Sequence, residues 1–473
     1  MSIACALPGS FRDPSGRVYR FGDGIYRTVA RSFAADFEFV DSTGILEQLA
    51  SCGLVIPAKK VDAAILGSAV GEVAYVLEVP KLPFISFPYE WPFPALKAAA
   101  LLHLDILLAA VEQGVTLSDA SAYNVQFQGA RPVFIDHLSF RRYRDGEVWA
   151  GYHQFCEQFL NPLLLRALLG VSHNSWYRGT QEGISANDLR RLLKWRHHLT
   201  WNSFVHVVLQ SFLQRTARNN NIELDKGKLP ALPLSSVRRT VQRLHDWISK
   251  LKPADRGKTI WRDYADSNTY SSQEADLKKR LVMEFASKVK PTLLWDLGCN
   301  TGKYSQAALE AGAKYAVGFD SDQGALETGF GRARERNLPF LPLFMDLANP
   351  TPNQGWRERE RGGLQGRASA DAVLALAVVH HLAITRNIPL DQVVDWIVDL
   401  APTGVIEFVP KADPMVQALL RLRGDIFPDY TEAFFLAHLS RRTRVIRSTA
   451  VSASSRLLVW YERRPFSSQT SSI

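Results

Sequence analysis

Leu293-Leu294-Trp295-Asp296-Leu297-Gly298-Cys299-Asn300-Thr301-Gly302-Lys303-Tyr304 joins a short apolar run to a helix-forming segment, and its reading decides the fold of the C-terminal half. Glycine at 298 and 302 lets backbone approach a ligand, and the helix start beyond offers N–H groups with no partner inside the helix. Asn300 stands where a full GxGxxG would have glycine, and no Gly-Lys-Thr or Gly-Lys-Ser closes the loop, so both strict nucleotide-phosphate patterns fail. From Leu293 onward the pattern alternates: LLWDLG, KYSQAALEAG, YAVGFD, DQGALETGFGRARER, LPFLPLFMDL, DAVLALAVV, LDQVVDWIVDLA and GVIEFV. That order predicts a mostly parallel sheet with helices on both faces, and TRVIRSTAVSASSRLLVWYERRP predicts an antiparallel hairpin finishing it.

The loop resembles the first motif of class I S-adenosylmethionine-dependent methyltransferases, and the resemblance extends over roughly residues 290 to 460. It implies a Rossmann-like sheet in which Asp296 organises the amino end of the cofactor, Asp320 binds its ribose hydroxyls and Asp346 lies near its adenine. The implied cofactor set is Asp296, Gly298, Cys299, Asn300, Thr301, Gly302, Tyr304, Asp320, Ser321, Asp346, Leu347 and Ala377. Taken singly, each has a structural alternative: Gly302 ends a turn, Asp320 caps a helix, Asp346 satisfies loop amides. Together they fall at successive strand ends, where open sheets bind ligands.

His380 and His381 follow the strand LALAVV directly, which puts an imidazole at the sheet's carboxyl edge to accept an acceptor's proton. Glu407, near the end of GVIEFV, is the third catalytic candidate. Arg421, Arg423, Asp425, Phe427, Pro428 and Tyr430 lie where the family builds substrate-facing structure. Trp356, Arg357, Arg359 and Arg361 read as a solvated charged helix. Methyl transfer is a direct displacement governed by alignment, with no metal required.

In the N-terminal half, Asp119 and Asn124 are five residues apart, and Asp136 follows twelve later across a β-turn-β segment. This spacing resembles the catalytic loop and metal-binding acid of the protein-kinase-like and aminoglycoside-phosphotransferase-like fold, which implies a second nucleotide and magnesium site for ATP at these three residues. The sequence departs from the family: Ser118 precedes the first acid where histidine is usual, His137 follows Asp136 where glycine is common, Phe21-Gly22-Asp23-Gly24 makes a poor phosphate-covering loop, and no lysine sits in a VAIK-like strand. A degenerate kinase-like fold that recognises substrate or partner is the preferred expectation.

The expected organisation is an α+β lobe over 1–95, a mainly helical kinase-like lobe over 96–265, a linker helix over 266–289, the methyltransferase domain over 290–463 and a flexible tail over 464–473. The length of 473 residues suits several domains. Lys and Arg total 56 against 47 Asp and Glu, a net +9 too dilute to demand a nucleic-acid partner. Cys5, Cys52, Cys156 and Cys299 form no CxxC pair, which argues against a disulfide framework and for a reducing, cytoplasmic setting without membrane attachment. The leading expectation is methyl transfer from S-adenosylmethionine to a small molecule, a sugar or a protein. The alternatives are a bifunctional enzyme with kinase-like activity, a noncatalytic binding protein keeping both folds, and an RNA or DNA methyltransferase.

Overall fold

A computed structural model describes residues 4–194, 233–255, 272–367, 369–452 and 455–464. The helix expected over 201–216, the polar connection from Asn219 and the boundary near residue 265 lie outside these residues, as does nearly all of the 464–473 tail. The chain forms two compact units, Met1–Gly257 with Asn353–Gly362, and Lys258–Pro352 with Gly363–Ile473.

Unit 1 contains a five-stranded antiparallel sheet of order β1-β2-β3-β5-β4, built from Cys5–Ala6, Val18–Phe21, Gly24–Ala30, Lys59–Val61 and Val73–Val79 as β1 to β5. Phe21 pairs with Gly24, and Gly22 at φ 57° lets the two-residue turn between them close with the hairpin's own twist. Helices α1 (Ala34–Ser42) and α2 (Ile45–Ser51) lie between β3 and β4 in sequence.

The chain then runs through the buried segment Phe84–Phe93. Ser86 and Gln126 exchange two hydrogen bonds of 2.9 Å there, and the Trp91 indole donates to Ser86 Oγ at 2.9 Å. Helix α3 (Phe93–Val111) is largely apolar because most of it is enclosed; Leu96, Leu104, Ile106 and Leu107 have no exposed surface. Among the described residues it alone is long and apolar enough to cross a membrane, and 67% of that stretch is buried inside the fold.

Two small two-stranded sheets follow. β6 (Val115–Leu117) pairs with β9 (Phe140–Arg142), and β7 (Val125–Gln128) pairs with β8 (Arg131–Phe134). Helices α4 (Asn161–Leu169), α5 (Asn174–Thr180), α6 (Ala186–Leu192) and α7 (Leu234–Lys250) complete the described part of the unit.

The stretch from Trp356 to Arg361 is not the solvated helix expected. It folds as a turn closed by a bridge between Gln354 and Arg361, with Arg357 and Glu358 at positive φ, and it belongs to unit 1. Glu360, only 3% exposed, takes two hydrogen bonds from Arg12 at 2.7 and 2.9 Å, while the Arg361 guanidinium stacks 4.0 Å over the Tyr123 ring. Ion pairing of the enclosed Glu360 with Arg12, and the cation–π contact, outweigh the helix propensity of its Arg and Glu residues.

Unit 2 begins with α8 (Ser272–Val289) and holds seven strands: β10 (Leu293–Leu297), β11 (Tyr315–Asp320), β12 (Phe340–Phe344), β13 (Ala372–Ala375), β14 (Thr403–Phe408), β15 (Thr443–Ala450) and β16 (Leu457–Arg463). Their order is β12-β11-β10-β13-β14-β16-β15; the first five are parallel, and the last two form an antiparallel hairpin paired through β16 to β14. Successive connections run outward in one direction from β10 to β12, then restart on its other side with β13, so the order reverses at β10. Helices α9 (Lys303–Glu310), α10 (Gln323–Glu335), α11 (Leu390–Leu400), α12 (Pro414–Arg423) and α13 (Glu432–Arg442) connect the strands. The interior strands are buried throughout, as a sheet covered on both faces requires.

Gly404 allows β13 and β14 to meet, because a Cβ there would lie 2.6 Å from both the Val373 carbonyl oxygen and its Cγ1. Gly404→Ala is expected to cost unit 2 about 2 kcal/mol in denaturant unfolding. A loss below about 0.5 kcal/mol would contradict this packing.

Candidate functional site

In a doubly wound sheet the crevice lies beyond the carboxyl ends of the strands where their order reverses, here between β10 and β13. The loop Gly298–Gly302 leaves β10 at that point. Gly298 has φ 72° and Gly302 φ 76°, and a Cβ at 302 would strike the Phe340 ring at 2.4 Å, so both positions need glycine. Asn300, at φ 49°, carries the loop through a left-handed turn. Behind the loop, Asp296 is 2% exposed and accepts a 2.5 Å hydrogen bond from Ser305 Oγ. Burial lifts its carboxyl to about 6, against the opposing pull of Ser305 and Lys278.

Asp320 ends β11. Its oxygens accept from the Asn300 backbone N–H at 2.8 Å and the Asp322 N–H at 2.9 Å, which fixes the carboxylate against the glycine loop. Burial raises its pKa and these N–H donors oppose the rise. Asp346, just past β12, pairs with Arg386 at 2.8 Å. Along the crevice Gly298, Asn300, Tyr304, Asp320, Asp346, Leu347 and Ala377 keep partial exposure and Ser321 is exposed, while Cys299 and Thr301 are buried beneath. Partial exposure at the ends of fully buried strands, a carboxylate at the β11 end and a glycine loop with its N–H groups suit a nucleoside bearing a polar tail.

His380 and His381 follow β13 with ring centroids 4.1 Å apart. Burial, then His381, Arg456 and Lys278, drive the His380 pKa well down, and burial brings His381 to about 4, so both imidazoles are neutral. His380 Nδ1 finds no hydrogen-bond partner among the described residues.

Glu407 has no exposed surface. Lys278 of α8 donates to it at 2.5 Å, and Arg456, 3.9 Å away, makes its own double contact with Asp413 at 2.6 and 3.0 Å. Lys278 also lies 4.8 Å from the Tyr304 ring centre. Lys278, Asp413 and Arg456 were not legible as site residues: they are 129 and 43 positions from their partners. The only local signal is Asp413 before Pro414, a helix N-cap, and it does accept from the Met415 N–H at 3.0 Å.

Tyr430 is buried, donates to the Val409 carbonyl at 2.7 Å and stacks on Phe408, while Asp425 is exposed and bound to Lys411.

In unit 1, Asp119, Asn124 and Asp136 do converge. Asn124 Nδ2 lies 3.2 Å from both Asp119 Oδ1 and Asp136 Oδ2, and the Ser139 hydroxyl is 2.6 Å from Asp136 and 2.8 Å from Asp119. Arg27 of β3 reaches in, 2.6 Å from Asp136 and 2.5 Å from Asp13. Arg27 and Asp13 are joined to the cluster only by folding, from the β3 strand and the turn before β2, while Ser139 follows Asp136 by three residues with no pattern that marks it. Among the described residues no group of three or more His, Cys, Asp or Glu converges as metal ligands would.

Sheet order and loop define unit 2 as a doubly wound α/β fold whose strand order reverses beside the Gly298–Gly302 loop. The whole chain belongs to the NoeA family of nodulation proteins, being 47% identical over 460 residues to nodulation protein NoeA of Rhizobium meliloti (strain 1021), which covers 97% of this chain and 96% of that protein. No family model matches the chain. Among solved structures, magnesium protoporphyrin IX methyltransferase from Synechocystis PCC 6803 with bound SAH is 18% identical, with a TM-score of 0.30 over 43% of this chain and 99% of its own. The N-methyltransferase NodS from Bradyrhizobium japonicum WM9 is 13% identical, with a TM-score of 0.31 over 41% and 98%.

Burial, reinforced by Asp136, lifts the Asp119 carboxyl from 3.8 to about 6, so the folded chain holds its proton more tightly than the unfolded one. Stability from this group is present below the lower value and lost as pH rises through the upper. Relative to Asp119→Asn, the wild type should lose about 2 kcal/mol between about pH 4 and about pH 7 in urea unfolding. A pH-independent difference between the two proteins would contradict the assignment.

Proposed function

We propose that unit 2 transfers a methyl group from S-adenosylmethionine to an acceptor. The observation that carries the reading is the coincidence, at the strand reversal, of the Gly298–Gly302 loop with Asp320 bound to that loop's own N–H. Asp320 and Ser321 would hold the ribose hydroxyls, the loop and Asp296 the methionine end, and Asp346 with Leu347 the adenine side. The cofactor supplies an electrophilic methyl on a sulfonium. The chain's residues align the acceptor: its lone pair forms the bond to the methyl carbon as the carbon–sulfur bond breaks, leaving that pair on sulfur. His380, neutral and with a buried Nδ1 that has no hydrogen-bond partner among the described residues, is the base for the acceptor's proton, and burial beside two cations makes its imidazolium short-lived. The acceptor is a small molecule, a sugar or a protein; that the relative is called a nodulation protein is consistent with any of these.

For unit 1, the reading the geometry favours is a kinase-like fold used for recognition without phosphoryl transfer. Arg27 supports it, because its guanidinium already bridges Asp13 and Asp136, where a metal would otherwise neutralise charge.

Isothermal titration should show S-adenosylhomocysteine binding to the wild type, weakened at least roughly tenfold in a folded Asp320→Ala protein. Lack of wild-type binding, or unchanged affinity in the variant, sinks the methyl-transfer reading. Magnesium ATP should leave the melting temperature unmoved; a rise that disappears in Asn124→Ala would overturn the recognition-only reading.

A further inference from the structure

Four charged side chains of unit 2 are almost wholly enclosed: Lys278 at 2%, Glu407 at 0%, Arg456 at 5% and Asp413 at 1% exposure. Burying an ion costs several kcal/mol even after relaxation, and an apolar set of the same volume commonly packs as well. A quartet kept in the interior therefore calls for an account beyond stability.

Its position supplies one. Glu407 lies near the end of β14, the strand next to β13, whose exit carries Ala377, His380 and His381. Lys278 sits over the ring of Tyr304, in the first turn after the glycine loop, and its charge is felt at Asp296. Arg456 and Lys278 are both felt at His380. Lys278 thus reaches the ring that follows the cofactor loop, and the charges of Lys278 and Arg456 act on the buried His380, on the side from which an acceptor would approach the donor methyl. Its formal charges cancel, and each cation already has a carboxylate at contact distance. A carboxylate acceptor entering here would compete with Glu407 and Asp413 for their cations, and an ammonium would compete with Lys278 for Glu407. A group without charge displaces neither.

Resting on the methyl-transfer reading, we infer that Lys278, Glu407, Arg456 and Asp413 form a charge-balanced wall on the acceptor side of the donor methyl, and that the acceptor is received as a neutral nucleophile, a hydroxyl or an unprotonated amine. The wall positions and screens; it exchanges no proton with the acceptor.

The donor and its product report on the wall without any acceptor, because S-adenosylmethionine carries a sulfonium charge and S-adenosylhomocysteine does not. Their dissociation constants are measured by titration calorimetry for the wild type, Glu407→Gln, Lys278→Met and the double variant. Glu407→Gln leaves one excess positive charge and should weaken the donor relative to the product by roughly tenfold. Lys278→Met leaves one excess negative charge and should shift the ratio by a similar factor the other way. The double variant removes both charges together, keeps the fold if either single variant loses it, and should restore the wild-type ratio. A ratio unchanged in every folded variant, with both ligands weakened alike, assigns the quartet to packing alone and overturns the inference. A wild type that binds neither ligand overturns the methyl-transfer reading beneath it, a distinct result.

Crystals of the wild-type S-adenosylhomocysteine complex soaked separately in isopropanol, acetate and ethylammonium test the acceptor class. Isopropanol alone should lie against His380. Acetate on Lys278 or Arg456, ethylammonium on Glu407, or no probe at all counts against a neutral-acceptor pocket.

Discussion

A carboxylate with no access to water must be matched from within, and Glu407 sets that requirement for unit 2. Lys278 meets it from α8, which precedes the first strand of the sheet, and Arg456 approaches from beside β16, the strand antiparallel to β14. One buried charge therefore ties together the beginning of the unit, its fifth parallel strand and its terminal hairpin. Asp413 extends the tie, since it both neutralises Arg456 and caps α12. The crevice inherits this order: Tyr304 lies under Lys278, and His380 is kept neutral in part by the same cations.

Unit 1 meets a similar problem with fewer cations. Asp13 and Asp136 share one guanidinium, Asp119 lies beside them through Asn124 and Ser139, and burial of Asp119 raises its proton affinity instead of recruiting a second cation. Asn124 and Ser139 supply the remaining hydrogen bonds. Most of the arrangement is satisfied by its own side chains, with the buried Arg27 Nε left without a partner among the described residues.

The parallel sheet was legible in the sequence because buried parallel strands write themselves as apolar runs between helical segments, as LLWDLG and LALAVV do. Its terminal hairpin was legible from the Ser-rich turn between two β-prone runs. At the site, Gly298, Gly302 and Asp320 were legible because each answers a local backbone demand at a strand end. The partners of Glu407 were not: Lys278 looks like any lysine on an amphipathic helix until folding closes 129 intervening residues. Arg27 was hidden in the same way, as one arginine in a β-prone run. The turn at Trp356 was misread because its alternating Arg and Glu have good helix propensity, whereas Arg12 and Tyr123, which decide its shape, lie far away in sequence.

The segment Asn353–Gly362 belongs to unit 1 although strands of unit 2 flank it in sequence, β12 before and β13 after. On the ribosome this inverts the usual order, in which an N-terminal domain is finished before the next one starts. The partner of Arg12 emerges only after β10, β11 and β12 have been synthesised, so unit 1 waits for its last piece while three of the second sheet's seven strands are already out. Neither unit can be released as one uninterrupted stretch of chain, and a gene rearrangement that moved one would have to carry, or break, part of the other.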